Sequence, residues 1–289
     1  MGARRFLHPY ILGFVMVIQT LFPPSADSSN LFYLRKVSEG VFVAIARQGN
    51  KPQSNTLILI GKSRVMLAGA HFTAEIINDL TKEVSTLTPF PIRSVILTHH
   101  HKGFPFVDFD FPRSFDLFLT WQTRQNMKEE RRTIPNNLYS FDSTMTIDFD
   151  GTIIELTNVG TAHSNGDMIL YLPESGILFT SDLLFNDVIG FMGDGSYRNW
   201  LELLDRMEQI GATTIIPGLG EPSNTASISR FRSFFRDFLT EVIRLKSLGK
   251  TLKDARTEFT LPSEYQNLPG YKTFMTSNIE KAYTDPDIQ

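Results

Sequence analysis

Not one of the 289 residues is cysteine. That excludes disulfides and thiolate ligands, so any metal site in this chain must be built from histidine and carboxylate. A lipid anchor on cysteine is excluded with them. Excess charge is also missing. Lys and Arg number 28 against 31 Asp and Glu, and the net charge of −3 gives no reason to expect nucleic acid or an anionic membrane surface as a partner. No low-complexity tract and no short-period repeat appears. What remains, 42% hydrophobic and 20% charged, is an ordinary globular composition with enough apolar residues for one sizeable core.

A long hydrophobic run is lacking too. The longest candidate, Ile11 to Phe22, is interrupted by Gln19 and Thr20 and is too short for a good membrane span. Arg4 and Arg5 precede it and Ala26-Asp27-Ser28 offers a small-x-small cleavage pattern, so residues 1–28 read as a secretory signal and 29–289 as the mature domain. The expectation is an exported protein, periplasmic or secreted, with no stable membrane span after signal removal. An uncleaved anchor is the alternative.

Along the mature chain, Phe32–Val37 and Val41–Ala46 read as strands about the turn Ser38-Glu39-Gly40, and Asn55–Ile60 with Arg64–Leu67 as a hairpin. Thr73 stands where it would cap a helix whose Ile76, Ile77 and Leu80 recur at helical spacing. Asp116–Thr120 is a short strand. Trp121–Arg132 reads as an exposed helix whose Lys128-Glu129-Glu130-Arg131-Arg132 run is a solvated face. Thr144–Phe149 and Thr152–Thr157 alternate around Asp150-Gly151, a hairpin signal, and Met168–Leu172 and Gly176–Thr180 form the next pair. Arg198–Ile210 is amphipathic, Thr214–Ile216 is a buried strand, and Ser223 would cap a long helix with Ile228, Phe231, Phe235, Phe238 and Val242 on one core-facing stripe. Leu252–Phe259 and Ile279–Tyr283 close the chain as short helices.

Chemistry concentrates at the end of the buried strand Ser94-Val95-Ile96-Leu97, where Thr98-His99-His100-His101 follows. Strand alternation puts His99 and His101 on one face and His100 on the other. Two imidazoles converging from one face are a natural half of a zinc site. A strand end merely decorated with histidines is the plainer reading, and the rest of the chain argues against it. The chain has six histidines, of which only His8 falls in the signal; the others are His71, the first-motif trio and His163.

These residues resemble the metallo-β-lactamase superfamily over most of the chain. Its Thr-His-x-His-x-Asp-His motif matches Thr98 to Phe104, with Gly103 and Phe104 in place of the Asp and the last His. Gly160 to Asp167 resembles its second motif, Leu178 to Asp182 its third, and Pro217-Gly218-Leu219-Gly220 a fourth in which Leu219 replaces a histidine. Ala68-Gly69-Ala70-His71 stands where the family has Val-Asp-Thr-Gly. The resemblance implies an α+β fold, a four-layer αβ/βα sandwich with the metal site along one edge. It also implies that His99, His101 and His163 form one metal site, while Gly103, Phe104 and Leu219 remove three ligands of the second and leave Asp182. One Zn²⁺ per chain is therefore expected, activating water against a small-molecule ester, thioester, lactone or lactam.

Asp182 would hydrogen-bond that water or join the metal. With the family Asp lost, His71 and His100 become candidate proton acceptors. Asp108, Asp110 and Glu221 read as solvated loop carboxylates, and Asn165 and Asp167 as braces of the second-motif loop. Two other functions use the same residues. One is a pseudoenzyme that binds metal or ligand without turnover. The other, with iron on His99, His163 and Asp182, is a mononuclear dioxygenase.

Overall fold

A computed structural model describes residues 31–47, 54–101, 111–112, 114–133 and 137–288. The secretory-signal reading of residues 1–28, and the readings of Gly103, Phe104, Asp108 and Asp110, lie outside these residues.

Two sheets organise the chain. The first joins seven strands in sequence order: β1 (Phe32–Ser38), β2 (Val41–Ala46), β3 (Thr56–Ile60), β4 (Val65–Gly69), β5 (Ile92–Leu97), β6 (Asp116–Thr120) and β7 (Asn137–Phe141). The second runs β12-β11-β10-β9-β8, from β8 (Thr144–Phe149), β9 (Thr152–Thr161), β10 (Asn165–Leu172), β11 (Ile177–Phe185) and β12 (Thr214–Leu219). The helices are α1 (Ala74–Leu87), α2 (Trp121–Glu129), α3 (Tyr197–Gln209), α4 (Ala226–Ser247), α5 (Leu252–Glu258), α6 (Ser263–Gln266) and α7 (Tyr271–Thr284). The fold is α+β, the four-layer sandwich that the resemblance implies. Among the described residues no helix is long and apolar enough to cross a membrane.

Period-two alternation in the second sheet builds both cores. Met168, Leu170, Leu172, Phe179 and Ile216 turn inward to join Leu57, Leu67, Val95 and Leu117 of the first sheet. Their neighbours Ile169, Leu178 and Ile215 turn outward onto Trp200, Leu204, Phe235 and Phe238 of α3 and α4. β4, β5, β6 and β7 run parallel to one another, so their C-terminal ends, and the loops that leave them, gather at one edge of the sandwich.

Three local expectations change. The long helix begins at Ala226 with Thr225 as its N-cap, not at Ser223. Ser223 instead exchanges two backbone hydrogen bonds with Ile215, and the side chain of Asn224 accepts from the amide of Ala226. β7 has no counterpart in the reading above, because of its five residues Asn-Leu-Tyr-Ser-Phe only Phe141 is buried. α2 stops at Glu129, and Arg131 takes a left-handed φ of 56° that turns the chain back. The side chain of Arg132 is consequently only 5% exposed rather than solvated, and its guanidinium donates to the carbonyl of His100 at 2.6 Å.

Candidate metal centre

Five side chains from four places in the chain meet at the sheet edge. β4 ends at Gly69 and delivers His71 just before Thr73, whose hydroxyl caps α1 by accepting from the amide of Ile76. β5 ends at Leu97 and delivers His99 and His101. The β9–β10 turn delivers His163, and β11 delivers Asp182. Alternation holds for the trio. His99 and His101 face His163, whereas His100 turns toward α2, with the side-chain amide of Asn126 3.3 Å from its Nδ1 and Glu130 3.9 Å from its Nε2.

The rings of His99, His101 and His163 lie with centroids 4.8–4.9 Å apart and planes inclined by 77–89°. Nδ1 of His101 is 2.9 Å from Nε2 of His163. Around a tetrahedral zinc, nitrogens bound at about 2.0–2.1 Å sit roughly 3.3 Å from one another, so the trio fits such an ion with a small outward adjustment. His99 Nε2 is buried with no hydrogen-bond partner, which is the second observation favouring a cation there. Burial, followed by the charges of neighbouring imidazoles, holds His99 and His163 well below the usual histidine range, so both present lone pairs at neutral pH. Burial also pulls on His101, but the hydrogen bond and charge of Asp194, with Asp167 and Asp182 beyond it, lift it above the ordinary value.

Asp182 stands on the other side of His99. Its Oδ2 lies 3.8 Å from His99 Nε2, 3.9 Å from His163 Nε2 and 3.4 Å from His71 Nε2. Its aim depends on a β-bulge. Between Phe179 and Ser181 the ladder to β12 shifts register, and Ser181 takes a φ of 49°. Two consecutive side chains then face the first sheet: Ser181 meets the hydroxyl of Thr98 at 2.8 Å, and Asp182 accepts from the hydroxyl of Ser54 at 2.5 Å. Gly218 passes so close that a Cβ there would sit 2.1 Å from Asp182 Oδ1. Asn55 holds that passage in place. Its fully buried side chain accepts from the amide of Ala46 and donates to the carbonyls of Pro217 and Gly220.

His163 is fixed by two buried devices. Asp167 accepts from the amides of Ala162 and Ser164 and from the Ser164 hydroxyl, closing the turn. The amides of Asp194 and Gly195 donate to the His163 carbonyl, and a Cβ on Gly193 would fall 1.7 Å from that oxygen. The Asn165 side chain accepts from Thr161 within the same turn. Glu221 is held elsewhere, by the Arg35 guanidinium at 2.7 Å and the Tyr33 hydroxyl. Leu219 packs into the outer core, in register with Phe185 of β11, so no ligand stands at that place.

Three residues of the centre carry no mark in the sequence reading. Ser54 lies ahead of a hydrophobic strand with nothing to distinguish it, and Arg132 hides in a charged run. Asp194, whose Oδ1 is 3.2 Å from His101 Nε2, is flanked by Gly193 and Gly195, the one legible signal of close backbone approach.

The family model of the metallo-β-lactamase superfamily matches residues 123–219, a span that contains His163 and Asp182. A type 2 metallo-β-lactamase of Bacteroides fragilis is 23% identical over 117 residues, 39% of this chain. The chain spans about half of that relative, 46% of its length. A metallo-β-lactamase structure from Pontibacter korlensis superposes with a TM-score of 0.61 at 20% identity, covering 71% of this chain and 99% of that one. The DIM-1 metallo-β-lactamase superposes at 0.60 with 19% identity, covering 71% and 97%.

Proposed function

With the metallo-β-lactamase superfamily indicated by the family model, the curated relative and the fold alike, we propose that this chain is a hydrolase using one zinc ion, held by His99, His101 and His163. The convergence of those three imidazoles beside Asp182 supports this reading more than any other observation. Bound there, zinc would lower the pKa of a coordinated water to about 7 and polarise a substrate carbonyl.

The protein's own residues do the rest. Asp194 accepts from His101 Nε2–H and so leaves Nδ1 as the ligand atom. Asp182, carried across the gap by its bulge, accepts a hydrogen bond from the attacking water and orients it. His71 is the nearest neutral proton acceptor beyond Asp182; burial lowers its pKa, and the Asp182 charge only partly restores it. His100, turned toward α2, has no such place. Phe191 leans over the rings of His101 and His163 at 6.0 and 6.2 Å, an apolar wall for the acyl part of an ester, thioester, lactone or lactam.

Full-length chain stripped of metal and titrated with zinc should take up one equivalent and then hydrolyse at least one member of a panel of those four classes. His163→Ala should abolish both. A folded wild type that takes up no zinc would overturn the proposal, and zinc uptake without turnover on any substrate would leave a metal-binding pseudoenzyme. Iron on His99, His163 and Asp182 draws on the same convergence, and metal analysis of protein purified from cells grown with both metals separates the two. The exported location is proposed on Arg4, Arg5 and the run to Phe22; a reporter fused after Ser28 and retained inside the cell would refute it.

A further inference from the structure

His71 has a hydrogen-bond pattern that water or a proton acceptor role does not require. Ser54 Oγ lies 3.0 Å from His71 Nδ1 and 2.5 Å from Asp182 Oδ1. A serine hydroxyl has one proton and an ionised carboxylate has none to give. The hydroxyl therefore donates to Asp182 and accepts from His71 Nδ1–H. That fixes the His71 tautomer, with the lone pair on Nε2, and Nε2 points at Asp182 Oδ2 from 3.4 Å. His99 Nε2, buried and unpartnered, faces the same oxygen from 3.8 Å. His71 Nε2 and Asp182 Oδ2 are thus two acceptors facing each other, with the unpartnered His99 Nε2 beside them, all within 4.8 Å. In an enclosed place such an arrangement asks for a cation.

We propose that His71, His99 and Asp182 form a second cation position in which His71 is a ligand, alternative to the three-imidazole one and unlike the paired site of the family. The proposal rests on the zinc reading above and extends it. His99 belongs to both sets and has one inward nitrogen, so the two positions exclude each other and the five residues hold one ion. Their chemistry differs. Three imidazoles with an open fourth place suit tetrahedral zinc. Two imidazoles and a carboxylate on one face, with room left for water, suit a divalent ion that favours six ligands, such as Fe²⁺ or Ni²⁺. Ser54 is the outer partner that orients His71 and Asp182 together, and Asp194 performs the same service for His101. The position of the ion decides whether His71 takes up a proton or holds the metal.

Ni²⁺ and Zn²⁺ serve as probes, with dissociation constants measured by chelator competition on the apo full chain. His71→Asn keeps an N–H for Ser54 and removes Nε2; it should weaken Ni²⁺ at least tenfold and move Zn²⁺ less than threefold. His101→Ala should do the reverse. Unchanged Ni²⁺ affinity in folded His71→Asn overturns the second position while leaving the first intact. Unchanged Zn²⁺ affinity in folded His101→Ala overturns the zinc reading instead. Should His71→Asn fail to fold, Ser54→Ala keeps the ligand and frees its ring. It should weaken Ni²⁺ by 10- to 100-fold, and an unchanged Ni²⁺ constant there overturns the proposal equally.

Discussion

Asn55 offers the sharpest test of how the centre is held together. The residue is completely buried, and its side chain makes three hydrogen bonds of 2.8–2.9 Å that join β2 to the passage Pro217–Gly220. Asn55→Leu, close in volume, would leave the Ala46 amide and the Pro217 and Gly220 carbonyls without partners. Each buried group so stranded costs about 1–3 kcal/mol. The three together cost about 3–9 kcal/mol and added apolar burial returns about 1–2 kcal/mol, so the net loss should be about 1–8 kcal/mol. Asn55→Asp is the complementary probe. It keeps the acceptor for Ala46 but points a carboxylate oxygen at two carbonyl oxygens, which raises its pKa above that of the unfolded chain. The sign follows: a carboxyl with a raised folded pKa contributes most when protonated, and stability falls as pH rises through that value. Urea denaturation of the apo protein at pH 4.5 and 7.5 should therefore show Asn55→Asp crippled at the higher pH and partly recovered at the lower, with Asn55→Leu equally weak at both. Because the same passage brings Gly218 against Asp182, Ni²⁺ affinity should fall in both variants. Asn55→Leu within 1 kcal/mol of wild type would show that the three bonds do not hold the passage.

Other perturbations test the supports of His163 and His100. Gly193→Ala drives a methyl toward the His163 carbonyl from a left-handed φ of 68°, and should cost more than about 3 kcal/mol or displace His163 and weaken zinc at least tenfold; a melting curve and a zinc titration that both match wild type would refute the contact. Arg132→Ala removes a charged donor from the His100 carbonyl and should destabilise by about 1.5–3 kcal/mol, Arg132→Gln by less; equal stability of all three proteins in urea would mean the bond is idle. Asp167 is pushed by burial to about 6 despite the three donors it accepts from. Its contribution is full below the unfolded value near 4 and shrinks as pH rises through 6, so wild type should lose up to about 3 kcal/mol relative to Asp167→Asn between pH 4 and 7.5. A pH-independent difference between the two in apo denaturation would dispose of that shift.

The elements were legible where periodicity was strong. β2, β6 and β8 begin and end as their patterns imply, and the alternation after Leu97 placed His99 and His101 on one side of the chain and His100 on the other. Ends set by tertiary contact were not legible: β11 continues to Phe185 because both its faces are covered, and polar Ser181-Asp182 inside it reads as a break. The same holds for the centre. His99 and His101 announce themselves by residue type and strand alternation, and His163 and Asp182 through the motifs of the family the chain resembles. Ser54 and Arg132 do not, since a hydroxyl or a guanidinium becomes a support only when another segment delivers a ring or a carbonyl to it. Even the bulge that aims Asp182 has no glycine to mark it.

The division of the centre between two sheets has a kinetic consequence. His71, His99 and His101 hang from the first sheet, His163 and Asp182 from the second, and the direct bonds across this edge include the Thr98–Ser181 hydroxyl pair, the Met168 amide on the Thr98 carbonyl, the Ser54 hydroxyl on Asp182, and Asn55 on the Pro217, Gly218 and Gly220 carbonyls. An ion seated here would add one more clasp to those bonds, tying four segments through a single centre. Opening of the sandwich at this edge then waits on the ion's departure, so the lifetime of the folded state, and not only its equilibrium stability, becomes a function of free metal. Amide exchange at the ends of β5 and β11 should slow together as metal is added, while the far ends of the same strands keep their own pace.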